Sequence, residues 1–206
     1  MDLELVAYYI GGQSRKSHTF QVQAGDVVIA MGSCNQNEIM HTLSGVQAEL
    51  LARVGTKINQ TAVWLVKASG YATYTQSGKG NNWDHIVGLL RPTRAATWEP
   101  RIWYTDYPLN APRVEAYVPK DTYVFIHRYA GTGNNVDQPP TITGVSYETV
   151  VDVLPEGGSG PGNARETVIR TKDAGRITIV GPKTTWMQVA FVLAKAVIIL
   201  GDVTWI

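Results

Sequence analysis

Lys67-Ala68-Ser69-Gly70-Tyr71-Ala72-Thr73-Tyr74 returns 105 residues later as Lys172-Asp173-Ala174-Gly175-Arg176-Ile177-Thr178-Ile179. In the first copy, Ile58 to Val66 and Tyr71 to Thr75 flank Ala68-Ser69-Gly70, a tight turn between two strand-like runs. In the second, Glu166 to Lys172 and Arg176 to Val180 flank Asp173-Ala174-Gly175 in the same way. Side chains two apart share one face of a strand. Ala62, Trp64 and Val66 therefore point inward together, matched by Thr167, Ile169 and Thr171, while Ala72 and Tyr74 match Ile177 and Ile179.

Working outward, the likeness continues in order. Thr42 to Val46 (TLSGV) returns as Thr141 to Val145 (TITGV), and Val22 to Ala30 aligns with Val118 to Ile126. Trp83 with Ile86 to Leu90 aligns with Trp186 and Val189 to Leu193, which marks both tryptophans as core anchors. The offset moves from 96 to 99 to 105 and back to 103, as a duplicated domain with variable loops would leave it. Comparing the copies also decides two ambiguous segments. Val46 to Val54 has the pattern of an amphipathic helix, but its counterpart Val145 to Val153 is β-branched and alternating. Trp186 to Leu200 could be a buried helix, but Trp83 to Arg91 is short and ends at proline. Strand is predicted for all four, with Val197 to Leu200 as an extra strand lacking a counterpart.

All ten prolines lie at Pro92 or beyond. The change at Pro92 and the closing Pro100 mark 92–100 as a stiff linker between domains at 1–91 and 101–206. Turn signals every 8–12 residues suit antiparallel sandwiches. The expected fold is all-β, two tandem antiparallel β-sandwich domains from an internal duplication, stacked on one another.

Composition excludes several classes. The 18 basic and 17 acidic residues are spread through both halves, so no basic face for nucleic acid or anionic membrane is expected. Cys34 is the only cysteine, which excludes an intrachain disulfide. The acidic start, Met1 to Leu5, lacks a signal-peptide pattern, and the apolar run after Trp186 is broken by Gln188, Lys195, Gly201 and Asp202. Synthesis in a cytosol is the expectation.

Ala24-Gly25-Asp26 followed by four apolar residues, then the strand Ala62 to Lys67, its glycine hairpin and a tryptophan-led apolar strand, resembles jelly-roll-like β-sandwich domains of tail- and fibre-associated proteins of tailed bacteriophages. The resemblance covers most of the first copy and, more faintly, the second, where Lys120-Asp121 replaces Gly25-Asp26. It implies a virion structural role and carries over no catalytic residue.

The residues that could carry chemistry form no familiar constellation. His18, His41, His85 and His127 show no metal-ligand spacing. Asp84-His85 is the nearest to an acid–base pair, yet the second copy has Met187-Gln188 there, so a surface or loop position is expected. Cys34 precedes Asn35-Gln36-Asn37 in what reads as a polar loop without an activating base. Glu156 to Asn163 is glycine-rich but lacks the Gly-Lys-Ser/Thr ending of a phosphate loop. Asp106, Asp121 and Asp137 read as turn or cap residues. No catalytic residue, cofactor or metal is expected.

Function then falls to what differs between the copies: the aromatics around the linker, the 127–140 loop and the C-terminal run. Trp98, Trp103, Tyr104 and Tyr107 pack the domains together or meet a neighbouring subunit. The expected contact residues are Trp98, Trp103, Tyr104, Arg128, Tyr129, Trp205 and Ile206. The leading expectation is a non-enzymatic tail, baseplate or fibre-attachment protein of the virion, assembling with itself and other virion proteins. The alternatives are a module binding a host-surface glycan through Tyr71, Trp98 or Trp103, and a capsid decoration or collar protein.

Overall fold

The computed structural model describes residues 2–12, 16–34, 39–78, 83–105, 111–130, 136–155, 164–183 and 185–195. Among them every regular element is a strand. The first half holds β1 (Leu3–Gly11), β2 (Ser17–Val22), β3 (Val27–Cys34), β4 (Met40–Ser44), β5 (Ala48–Gly55), β6 (Asn59–Val66), β7 (Gly70–Ser77) and β8 (Trp83–Pro92). The second holds β9 (Thr97–Tyr104), β10 (Arg113–Val118), β11 (Tyr123–Ala130), β12 (Thr141–Thr143), β13 (Tyr147–Val153), β14 (Ala164–Thr171), β15 (Gly175–Val180) and β16 (Thr185–Lys195). The two segments with helical periodicity are strands β5 and β16, as their counterparts predict. Residues 196–206, including the predicted extra strand, lie outside the described residues.

The strands pair antiparallel into two five-stranded and two three-stranded sheets. The first half forms β1-β8-β3-β6-β5 and β2-β7-β4. The second forms β9-β16-β11-β14-β13 and β10-β15-β12, the same orders with eight added to each label. Each half is therefore an eight-stranded, jelly-roll-like sandwich. The register corrects one equivalence. Gly88 faces Ile29 as Ala190 faces Phe125, an offset of 102. Trp186 thus occupies the position of Asp84, and Trp83 is one residue out of step with it.

Three apolar layers divide four stacked sheets. Phe20, Val28, Trp64, Tyr74 and Leu89 fill the first sandwich, and Val114, Ile126, Ile169, Ile179 and Phe191 fill the second. The inward faces expected for β6, β7 and β15 are the faces found: Ala62, Trp64, Val66, Ala72 and Tyr74 are in the first core, Ile177 and Ile179 in the second. A third layer lies between the two large sheets, where Val27, Ile29, Met31, Val63, Ile86 and Leu90 meet Phe125, Val168, Ala190 and Val192. β3 is buried along its whole length because odd positions face the other sandwich and even ones face the small sheet. Its unbroken apolar run, Val27 to Met31, is the sequence of a strand covered on both faces. At Gly88 the two sandwiches approach closely: a Cβ there would lie 2.3 Å from the Phe125 ring.

The connection between halves is shorter than the predicted linker. β8 runs to Pro92 and β9 starts at Thr97, so Pro100 sits within a strand. β9 is an edge strand, where a missing N–H costs no ladder bond. Asp121 adopts φ 60° in the turn position that Gly25 holds with φ 94°. Aspartate tolerates this left-handed conformation better than most residues, which explains how Lys120-Asp121 substitutes for the glycine turn.

Candidate functional site

At one end of the layer between the large sheets the apolar packing gives way to polar side chains. Ser33 on β3 lies directly opposite Asn59 on β6 and Asp84 on β8. On the facing sheet His127 of β11 lies opposite Glu166 of β14 and Gln188 of β16. All six are at most 2 % exposed. Thr61 donates to Gln188 Oε1 at 2.5 Å, and Gln188 Nε2 donates to the Gly32 carbonyl at 3.1 Å, so this row ties one sandwich to the other. His127 Nδ1 meets Glu166 Oε1 at 2.7 Å. Ser33 Oγ, both amide atoms of Asn59, Asp84 Oδ2, His127 Nε2 and Glu166 Oε2 have no protein partner. The row is the polar end of an otherwise apolar interface.

Burial pushes the Asp84 carboxyl up to about 7, with Glu166 adding to the rise and His127 opposing it. Among the described residues no three histidine, cysteine, aspartate or glutamate side chains are placed to hold a metal ion.

A second polar cluster lies inside the first sandwich. Gln76 Nε2 donates to the Ser33 carbonyl at 3.1 Å, which turns Oε1 toward His85 Nδ1 at 2.6 Å. His85 Nδ1 is then the donor, and His85 Nε2 accepts from His18 Nε2 at 2.9 Å. Beside them Tyr74 donates its hydroxyl to His41 Nδ1 at 2.6 Å, and His41 Nε2 donates to the Gln60 carbonyl at 2.8 Å. Burial holds the His41 imidazole down at about 3 and raises the Tyr74 phenol well above its usual range. In the second sandwich the register places Val114, Ile179 and Met187 where His18, Tyr74 and His85 stand. There the interior is filled from the other wall. Arg128 occupies the position of Gly32 and Gly181 that of Gln76. A Cβ at Gly32 would lie 2.6 Å from the Asp84 carbonyl and 3.1 Å from Gln76 Nε2, so small and large side chains are exchanged between facing strands. Arg128 is fully buried. It donates through Nη2 to the Gln138 and Val136 carbonyls, and burial, helped by Arg165, lowers its guanidinium to about 10.

These findings overturn several sequence expectations. Asp84 and His85 are strand residues at 2 % and 0 % exposure, not surface or loop groups. Cys34 is buried at the end of β3 beside Ile39 rather than in a polar loop. Trp98, Arg128 and Tyr129 are buried within the chain and so offer no surface to a neighbour. Trp98 packs the two sandwiches together, the other role foreseen for it. Trp103 is half-buried against Phe191, with ring centroids 5.2 Å apart. Tyr104 is exposed on edge strand β9. Asp121 pairs with Arg170 at 2.6 Å. Asp106, Tyr107, 131–135, 156–163, Trp205 and Ile206 lie outside the described residues.

The exposed apolar residues mark the surface instead. Val6 and Tyr8 lie on β1, Leu50 and Val54 on β5, Tyr104 on β9 and Val150 on β13, with Leu154 just beyond it. These four strands are the edges of the large sheets. Met40 and Tyr117 lie on edge strands of the small sheets, and among the described residues only Tyr71 belongs to a central strand. No family model, curated protein or solved structure matches the chain.

Proposed function

We propose that this chain is a non-enzymatic structural subunit of a tailed-phage virion, in the tail, baseplate or fibre-attachment region. It acts by assembly with copies of itself and with neighbouring virion proteins. The observation that carries the assembly reading is the concentration of exposed apolar side chains on edge strands. An edge strand offers a row of free N–H and C=O groups, and apolar side chains beside that row supply the area a stable contact needs. The continuous core between the sandwiches suits a rigid building block, and the shared strand orders support an internal duplication as its origin. The particle assignment rests on the resemblance of Ala24 to Ala30 and Ala62 to Gly70 to phage tail and fibre sandwiches. The histidines and the Asp84 and Glu166 carboxyls are buried in the chain, which favours a structural over a catalytic role.

Light scattering across a concentration series tests the assembly. The wild-type protein is expected to exceed the 22.6 kDa monomer mass, and Leu50→Lys with Val54→Lys to return it toward that mass without lowering its melting temperature. A wild-type protein that stays monomeric at every concentration counts against the reading.

A further inference from the structure

Two cross-strand rows meet where the large sheets face each other. On the first sheet the row is Thr61 of β6, Met31 of β3 and Ile86 of β8. On the second it is Glu166 of β14, His127 of β11 and Gln188 of β16. Strand for strand these are the same positions in the two copies, and all six side chains are buried. Met31 and Ile86 belong to the apolar layer, so the fold accepts plain hydrocarbon there. Their counterparts are instead an imidazole and a primary amide. The Thr61 hydroxyl lies 2.5 Å from the Gln188 side-chain carbonyl oxygen, and Gln188 Nε2 donates to the Gly32 carbonyl at 3.1 Å, which fixes the amide in place. His127 stands directly opposite Gln188 on the neighbouring strand. Its Nδ1 is 2.7 Å from the Glu166 carboxyl, and its buried Nε2 has no partner. A hydroxyl, an imidazole and a carboxylate that orients it are the parts of an activated nucleophile. Here the carbonyl beside the hydroxyl belongs to the same chain.

We infer that Thr61 and Gln188 form an intramolecular ester, a covalent bond between the two sandwiches. Neutral His127 takes the Thr61 hydroxyl proton on Nε2 as the oxygen attacks the side-chain carbonyl carbon of Gln188. The new C–O bond leaves a tetrahedral carbon with the charge on Oε1. Asn59, two residues before Thr61 on the same face of β6, has a buried amide without a partner to donate to that oxygen. The C–N bond then breaks, the nitrogen takes the proton from His127 and leaves as ammonia, and His127 is neutral again. One hydroxyl and one primary amide become one ester and one ammonia, so the step needs no oxidant, reductant or co-reactant. Alcohols attack amides slowly in water, but groups held in contact react as if at about 10⁵–10⁸ M. The bond joins residues 127 positions apart. It gives a rigid subunit the staple that a single cysteine cannot supply.

The test is the mass of the purified full chain, followed over time at neutral pH and read under denaturing conditions. The sequence mass less one ammonia is expected. Trypsin should then release Ile58 to Lys67 joined to Thr184 to Lys195, the peptides that hold Thr61 and Gln188. Hydroxylamine, which cleaves esters and spares amides, should separate them. Thr61→Val should keep the full sequence mass, and His127→Gln should lower the joined fraction by about tenfold or more at equal incubation. Melting curves show whether each variant folds; where one does not, the wild-type digest decides alone. The inference is overturned if the wild type keeps its full sequence mass throughout, if the lost ammonia maps to another residue such as a cyclised asparagine, or if folded Thr61→Val loses ammonia as well. Equal joining in folded His127→Gln overturns the mechanism given to His127. The mass is that of the denatured chain, so the outcome does not depend on whether copies assemble.

Discussion

Replacing Asp84 by asparagine should stabilise the protein increasingly as pH rises from 3.8 to about 7 and do little below that range. The side chain is 2 % exposed, and its carboxyl is held up to about 7 by burial, against 3.8 in an unfolded chain. The folded state therefore keeps a proton that the unfolded state has released. Below pH 3.8 both states are protonated and the group costs nothing beyond its unpaired oxygen. As pH rises from there to about 7, the unfolded state alone gains by ionising, so stability falls. The gap is about three pH units, and at ~1.4 kcal/mol per unit the loss reaches about 4 kcal/mol. Asparagine has the shape of the neutral acid and does not titrate, so the variant escapes that loss. For a chain of this size the difference corresponds to roughly 8–16 °C in melting temperature. Thermal melts of both proteins at pH 4, 6 and 8 should show curves that converge in acid and diverge with rising pH. A variant whose melting temperature tracks the wild type at every pH would show that the polar row does not hold Asp84 neutral. A variant less stable than wild type at pH 8 would mean that the carboxylate is satisfied.

His41 acts with the opposite sign. Its imidazole stays neutral in the fold down to about 3, so stability should fall as pH drops from 6.5 toward 3, and His41→Gln should flatten that acid limb in melts between those values. Gly88→Ala should destabilise by about 1–3 kcal/mol, because its methyl group would enter the Phe125 ring. Adding Phe125→Leu should recover part of the loss, measured by urea unfolding. Arg128→Met should be neutral or stabilising, since it replaces a buried charge having two unpartnered nitrogens with an apolar chain of similar length. Gly32→Arg, the same residue placed at the matching position of the first sandwich, should prevent folding because His85 and Gln76 already fill that space.

Much of the architecture follows from local chemistry written in the chain. The hairpin around Ala68-Ser69-Gly70, the alternation of Ala62, Trp64 and Val66, and the order of matching runs depend on turn geometry and the two-residue strand period. These are short-range, so a single sequence displays them. The same alternation hid what lies across space. Asp84 reads as a loop residue beside His85, yet strand β8 sends the two to opposite faces, one between the sandwiches and the other into the first core. The Trp83 and Trp186 likeness misled by one residue because letters were matched without register. The unbroken run Val27 to Met31 did carry the signal that both faces of β3 are covered. Nothing in it named the second sandwich as the cover.

By itself the sequence determined an all-β chain with two similar halves, their hairpins and the inward faces of their central strands, because backbone sterics and side-chain periodicity act within a few residues. Only the tertiary structure decided that the large sheets stack against each other, burying Trp98 and gathering Asp84, His127 and Glu166 from distant strands, and that Arg128 lies inside the second sandwich. It also decided that apolar side chains remain exposed on the edges of the large sheets and that Thr61 meets Gln188. Burial and electrostatics depend on which strand lies next to which, and that is settled by long-range pairing rather than by neighbours in the chain.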